Sequence, residues 1–195
     1  MNLSKNITIL GGGTSAWLTA AFFSQHLPKD YFTLTIIEGK FSKSIGVGES
    51  TLPFFPKFME NCGFNINEWF PFCECTPKVG VGFKDWISKG STYWHPFANM
   101  PLFKDGSNLF DIVNHLNLSK SNISQYYQKY NKNYIQNLPP KNIQGVHINA
   151  EKLSEFIKQK IKIKTIKEDI IDLYYDQGNL NTIHLSSGKT FTSPK

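Results

Sequence analysis

The chain has 195 residues and a formal charge of +6, with 40% hydrophobic and 18% charged side chains. That balance describes a globular chain able to bury a real core, and excludes a disordered one. All 21 basic residues are lysines, which argues against nucleic acid as a partner, because base-edge readout and planar phosphate clamps lean on the guanidinium fork.

In chain order, Ile7 to Leu10 is a short apolar run that breaks into Gly11-Gly12-Gly13. Ser15 to Leu27, rich in Ala, Leu and Phe, reads as a helix stopped by Pro28. Phe32 to Ile37 reads as the next strand and ends at Glu38. A strand, glycine turn, helix and strand in this compass make a βαβ unit. Ser42 to Pro53 is a Gly/Ser segment without a long element. The middle, Phe54 to Gly145, is rich in aromatic residues, Asn and Pro and shows no clean period.

Ala150 to Ile161 then carries Leu153, Phe156, Ile157 and Ile161 at helical spacing, and Lys162 to Ile166 alternates as a strand. Ile170 to Tyr175, Leu180 to Leu185 and Thr190 to Thr192 are joined by Asp176-Gln177-Gly178-Asn179 and Ser186-Ser187-Gly188-Lys189, which predicts a three-stranded meander. Cys62, Cys73 and Cys75 are too few and too crowded for a disulfide framework or a four-ligand zinc site, so no metal is expected. Their odd number and the lack of a signal-like stretch predict a cytoplasmic setting, and no run reaches the roughly 18 apolar residues of a membrane span.

Gly11-Gly12-Gly13-Thr14-Ser15-Ala16 fits G-x-G-x-x-G/A. The first glycine permits the tight turn, the second lets backbone approach a pyrophosphate, and the small Ala16 lets the helix pack on the strand. Glu38, at the end of the following strand, is suited to accept hydrogen bonds from a ribose diol. The motif itself does not separate FAD from NAD. A βαβ start followed much later by a helix, a strand and a meander resembles the two-dinucleotide-binding flavoproteins, in which a middle substrate region interrupts the FAD domain. The expected fold is therefore α/β: a Rossmann-like FAD-binding domain with a three-stranded meander and an inserted, largely helical substrate region. Its divisions fall at 1–53, 54–145 and 146–195.

Two further stretches resemble one family. Gly46-Val47-Gly48-Glu49-Ser50-Thr51-Leu52-Pro53 is similar to the GxGE-(A/S)-T-x-P strap of the flavin-dependent tryptophan halogenases. Pro77 to Trp86 is similar to that family's F-K-x-(A/G)-I-(R/K)-F-x-(D/N)-W segment, which presents the catalytic lysine, here Lys78. Asn67-Glu68-Trp69, Tyr93-Trp94-His95-Pro96-Phe97 and Val146-His147-Ile148-Asn149-Ala150 are supporting matches.

The resemblance implies that FAD, supplied reduced by a separate flavin reductase, reacts with O2 to a C4a-hydroperoxide. Chloride or bromide then gives a hypohalous acid, which Lys78 directs onto an electron-rich aromatic such as an indole. A lysine suits this work as a compact cation with three donors. Gly11, Gly13, Thr14, Ser15, Ala16, Glu38, Ile45, Val47 and Glu49 would contact the cofactor. Glu49 can equally satisfy backbone donors of its loop. His95 and His147 are expected in the core or in hydrogen bonds rather than in catalysis, and Trp69, Trp86, Trp94 and Phe97 as core or as pocket lining. From Val79, Val81 and Phe83, Lys78 is expected near the start of an apolar strand.

The segment departs from the family at Pro77, Gly82 and Asn149. The later family signatures, including the acidic partner of the lysine and W-x-W-x-I-P, do not occur in the chain, so an N-terminal portion of a longer halogenase is expected, its first strand at a sheet edge. A flavin hydroxylase on the same scaffold, with no use for Lys78, and a non-catalytic FAD-binding remnant are the alternatives. A homodimer is left open.

Overall fold

The computed structural model describes residues 5–40, 49–78, 80–97 and 145–192. Its contacts divide the chain into two compact units. The first gathers the described residues of 1–48, 61–74 and 149–195, and the second those of 49–60 and 75–148. Residues 61–74 group with the N-terminal part, and Glu49 to Pro53 group with the middle.

In the first unit, β1 (Lys5–Leu10), α1 (Thr14–His26) and β2 (Phe32–Glu38) form the expected βαβ start. β1 and β2 pair in parallel, with Ile7 opposite Leu34 and Leu10 opposite Ile37. β8 (Lys164–Lys167) adds in parallel on the other side of β2, giving the order β1-β2-β8. The helix before β8, α4 (Ala150–Lys160), starts at Asn149, whose side chain accepts the Lys152 N–H at 3.2 Å. That is an N-cap, a task an amide side chain performs as well as a carboxylate. The apolar positions of α4 are its buried ones, Leu153, Phe156 and Ile157, and α4 packs against α1.

Helix α3 (Ile66–Phe72) also packs on α4, capped by the Asn65 side chain. Phe64 meets Phe156 edge-on with ring centroids 5.4 Å apart. β9 (Ile170–Asp176), β10 (Asn179–Leu185) and β11 (Thr190–Thr192) form an antiparallel sheet in the order β11-β10-β9. The glycines at both turns, Gly178 and Gly188, take positive φ, as tight hairpin turns demand. Ile183 and Leu185 of β10 bury against Ile37 of β2, so this sheet and the parallel sheet share a core.

In the second unit, β7 (Gly145–Ile148) lies between β3 (Glu49–Ser50) and β4 (Thr76–Lys78), antiparallel to both. Helix α2 (Phe55–Asn61) follows the strap and buries Phe55 and Met59. β5 (Gly80–Lys84) and β6 (Thr92–Pro96) make a separate hairpin, with Phe83 stacked on Tyr93 at 4.7 Å. The described part of the middle region thus carries short strands as well as short helices. Residues 98–144 lie outside the described residues.

Candidate functional site

The glycine turn joins β1 to α1. Gly11 has φ +118°, a conformation open to glycine and costly for other residues. Its N–H donates to the Ile37 carbonyl at 2.9 Å, which fastens the turn beside the end of β2. Gly13 is the N-cap of α1 with an ordinary φ of −77°. Among the described residues, a Cβ added at Gly11 or at Gly13 would meet no atom within 4 Å. Among the described residues no side chain caps α1, and its first turn holds no acidic residue. The Ala16 and Trp17 N–H groups both turn to the Gly13 carbonyl, at 3.0 and 3.2 Å, which leaves those of Thr14 and Ser15 for an anion. An exposed Gly13 and Ser15 with a half-buried Thr14 and Ala16 complete this end. The residues fit a pyrophosphate: an uncapped helix N-terminus behind a turn with open space over its glycines.

Glu38 ends β2 and is buried, its side chain 6% exposed. The Lys158 ammonium, reaching from α4, lies 3.1 Å from Glu38 Oε2 and 3.5 Å from Oε1. The same ammonium stands 4.8 Å over the buried ring of Trp17, in the first turns of α1. Glu38 and the glycine turn therefore belong to one unit and one end of the parallel sheet.

Lys78 is half-buried at the end of β4 and donates to Ser50 Oγ at 3.0 Å and to the Thr51 carbonyl at 3.1 Å. The order β3-β7-β4 brings this about, because β7 holds the strap residues on one side and the lysine strand on the other. Thr51 is tied in turn to β7: its N–H donates to the Val146 carbonyl at 2.8 Å, and its hydroxyl accepts the Val146 N–H at 3.0 Å. The Phe97 ring supplies a further wall, 5.2 Å from the ammonium. Lys78 does not begin the strand of Val81 and Phe83. β4 pairs with β7 whereas β5 pairs with β6, so Lys78 and Gly80 belong to different sheets.

Glu49 is exposed on β3, and among the described residues its carboxylate has no hydrogen-bond partner. Ile45 and Val47 lie outside the described residues. His95 and His147 are exposed rather than in the core, since each stands on the open side of a short strand; His95 meets the Phe97 ring edge-on at 6.4 Å. Trp69 and Phe97 are buried, but Trp86 is 73% exposed in the loop after β5. The side chain of Trp94 is not among those described. Lys158 and Gly145 were not singled out from the sequence. A lysine on a polar helix face and a glycine opening a strand carry no local signal of the partners they meet.

The sequence matches the tryptophan halogenase family over residues 6–184. It is 34% identical over 94 residues to tryptophan 6-halogenase SttH of Streptomyces toxytricini, covering 48% of this chain and 18% of the relative. It is 25% identical over 224 residues to tryptophan 7-halogenase KtzQ of Kutzneria sp. (strain 744), covering 98% of this chain and 41% of the relative. The fold superposes on a flavin-dependent halogenase from Xanthomonas campestris with a TM-score of 0.77 at 20% identity, over 98% of this chain and 41% of that one. The SttH crystal structure gives a TM-score of 0.75 at 22% identity, over 99% of this chain and 43% of that one. The fold is the one shared by these flavin-dependent halogenases. The chain belongs to the tryptophan halogenase family, and it spans less than half the length of these relatives.

Proposed function

We propose that this chain provides the ADP end of a FAD site and the lysine of a flavin-dependent halogenase acting on an electron-rich aromatic of the indole kind. The observation that carries the nucleotide part is Gly13. Its backbone angles suit any residue and a side chain there would strike nothing among the described residues, so the close approach of a ligand is what accounts for a glycine. Thr14 and Ser15 N–H groups bind the pyrophosphate, Ala16 keeps α1 close to the sheet, and Glu38 accepts from the ribose. Ile45, together with Val47 and Glu49 of the strap, contributes to the flavin side.

Reduced flavin, when bound, supplies with O2 the oxidising power that converts chloride or bromide to an electrophilic halogen; a separate flavin reductase delivers the electrons. Lys78 positions that electrophile. Ser50 and the Thr51 carbonyl take two of its three ammonium protons, so the third remains to polarise a hypohalous acid beside the aromatic substrate. Phe97 limits the directions open to that donor. The strap thus acts on the lysine through hydrogen bonds of its own, independently of any contact it makes with flavin.

The test supplies the chain with FAD, a flavin reductase, bromide and a panel of indoles, pyrroles and phenols, with FAD binding followed by flavin fluorescence. Binding of FAD and a brominated product lost in Lys78→Ala support the reading. A hydroxylated product that survives Lys78→Ala points instead to a hydroxylase, and a folded chain that does not bind FAD overturns the flavin assignment.

A further inference from the structure

Glu38 poses a physical problem that Lys158 answers. A carboxylate with a side chain only 6% exposed is costly unless an opposite charge or hydrogen-bond donors compensate it. Among the described residues, Lys158 is the one side chain that bonds it, bridging both oxygens from 120 residues away in sequence. The ammonium is itself held over the face of Trp17, which follows directly on the fingerprint residue Ala16. A continuous chain of contacts therefore runs from the fingerprint helix through Lys158 to the end of β2.

An ionised carboxylate offers about four acceptor sites over its two oxygens, and a single ammonium does not exhaust them. The remaining capacity matches the two O–H donors of a vicinal diol. We infer that Lys158 is a positioning residue for the adenosine ribose: it orients the Glu38 carboxylate so that the 2′- and 3′-hydroxyls of an adenine ribonucleotide meet a preformed acceptor. This inference rests on the reading of the βαβ unit as a dinucleotide site. Acting through Glu38, Lys158 contributes to affinity only where the ligand has ribose hydroxyls, whereas a lysine that merely braced α4 against β2 would affect every nucleotide alike.

The experiment measures binding of ADP and of 2′,3′-dideoxy-ADP to the full chain by calorimetry, for the wild type, Lys158→Met and Lys158→Arg. The wild type is expected to prefer ADP. Lys158→Met should weaken ADP by about tenfold, as for one lost charge-assisted hydrogen bond, and leave the dideoxy nucleotide unchanged. Lys158→Arg, which restores a cation, should recover most of the preference. Equal weakening of both nucleotides by Lys158→Met, from a brace removed or a fold lost, overturns the inference, and so does tighter ADP binding, which would make Lys158 a competitor of the ribose. In both of these cases the wild type still binds ADP and the dinucleotide reading stands. A wild-type chain that binds neither nucleotide overturns that reading, and the inference with it.

Discussion

Lys78 and Gly145 stand opposite each other across the β4–β7 pair, and the Phe97 ring occupies the space where a side chain on Gly145 would begin. A Cβ at Gly145 would lie 3.0 Å from Phe97 Cε2, 3.1 Å from Cδ2 and 3.2 Å from the Lys78 carbonyl oxygen. The glycine is what lets the aromatic ring come down beside the lysine.

Gly145→Ala is therefore expected to destabilise the chain by about 1–3 kcal/mol, the usual cost of an extra carbon in a close-packed place. Urea unfolding gives the value. Part of the strain is relieved if Phe97→Leu is added, because a smaller, more flexible side chain vacates the contact, so the double variant should be less destabilised than the two single effects added together.

Ser50→Ala removes one of the two acceptors on the Lys78 ammonium. Both groups retain solvent contact and the Thr51 carbonyl stays in place, so stability should change by no more than about 1 kcal/mol. Lys78 should become more mobile. Peptide mapping after brief treatment with an amine-acylating reagent should show faster labelling of Lys78 in the variant and unchanged labelling of the exposed Lys57. Equal Lys78 labelling in both proteins would show that Ser50 does not restrain it.

The two fingerprint glycines should separate stability from binding. Gly11→Ala forces a side chain onto φ +118° and is expected to cost about 1–3 kcal/mol of stability. Gly13→Ala meets neither a strained angle nor a neighbour, so its stability cost should stay below about 1 kcal/mol. FAD or ADP affinity should nevertheless fall in Gly13→Ala, as titration calorimetry beside thermal unfolding would reveal. Unaltered affinity would remove the strongest support for the nucleotide site.

Glu74 is held below the usual carboxylate range by the hydrogen bond from Lys152, then by that from Asn149 and by the Lys152 charge. A group depressed in the folded state adds stability above its unfolded pKa and loses it as the pH falls through the folded value. The wild type should thus lose stability more steeply than Glu74→Gln on acidification below about pH 4.3, the ordinary glutamate value. Parallel acid limbs in pH-dependent urea unfolding would count against this contribution.

All three cysteines are buried, and burial pushes the Cys62 thiol up to about 11. Because the thiolate is the reacting form, a chromogenic disulfide reagent at neutral pH should find almost no fast thiol in the native chain. In guanidinium chloride it should find three. A fast native thiol would show that one of these sites opens readily.

The features legible in the sequence were those written locally. β1, α1 and β2 each follow from their own residues: a β-branched run, an Ala- and Leu-rich helix closed before Pro28, and a second apolar run ending at Glu38. The glycine turn is local too, since Gly11 needs its positive φ wherever the neighbouring strands go. The strap and lysine segments are patterns of residues, so the resemblance that points to Lys78 needs no knowledge of what surrounds it.

Tertiary structure alone decided who meets whom. Lys158 reaches Glu38 across 120 positions, and Lys78 reaches Ser50 across 28. Lys78 and Gly80 belong to different sheets because their strands join different partners, β7 and β6. The exposure of Trp86 and His147 likewise depends on which face of a sheet or loop is covered. Strand pairing and burial are set by residues distant in sequence, and a side chain's chemistry does not encode its partner; β7, by standing between the strap and the lysine strand, supplies that information for Lys78.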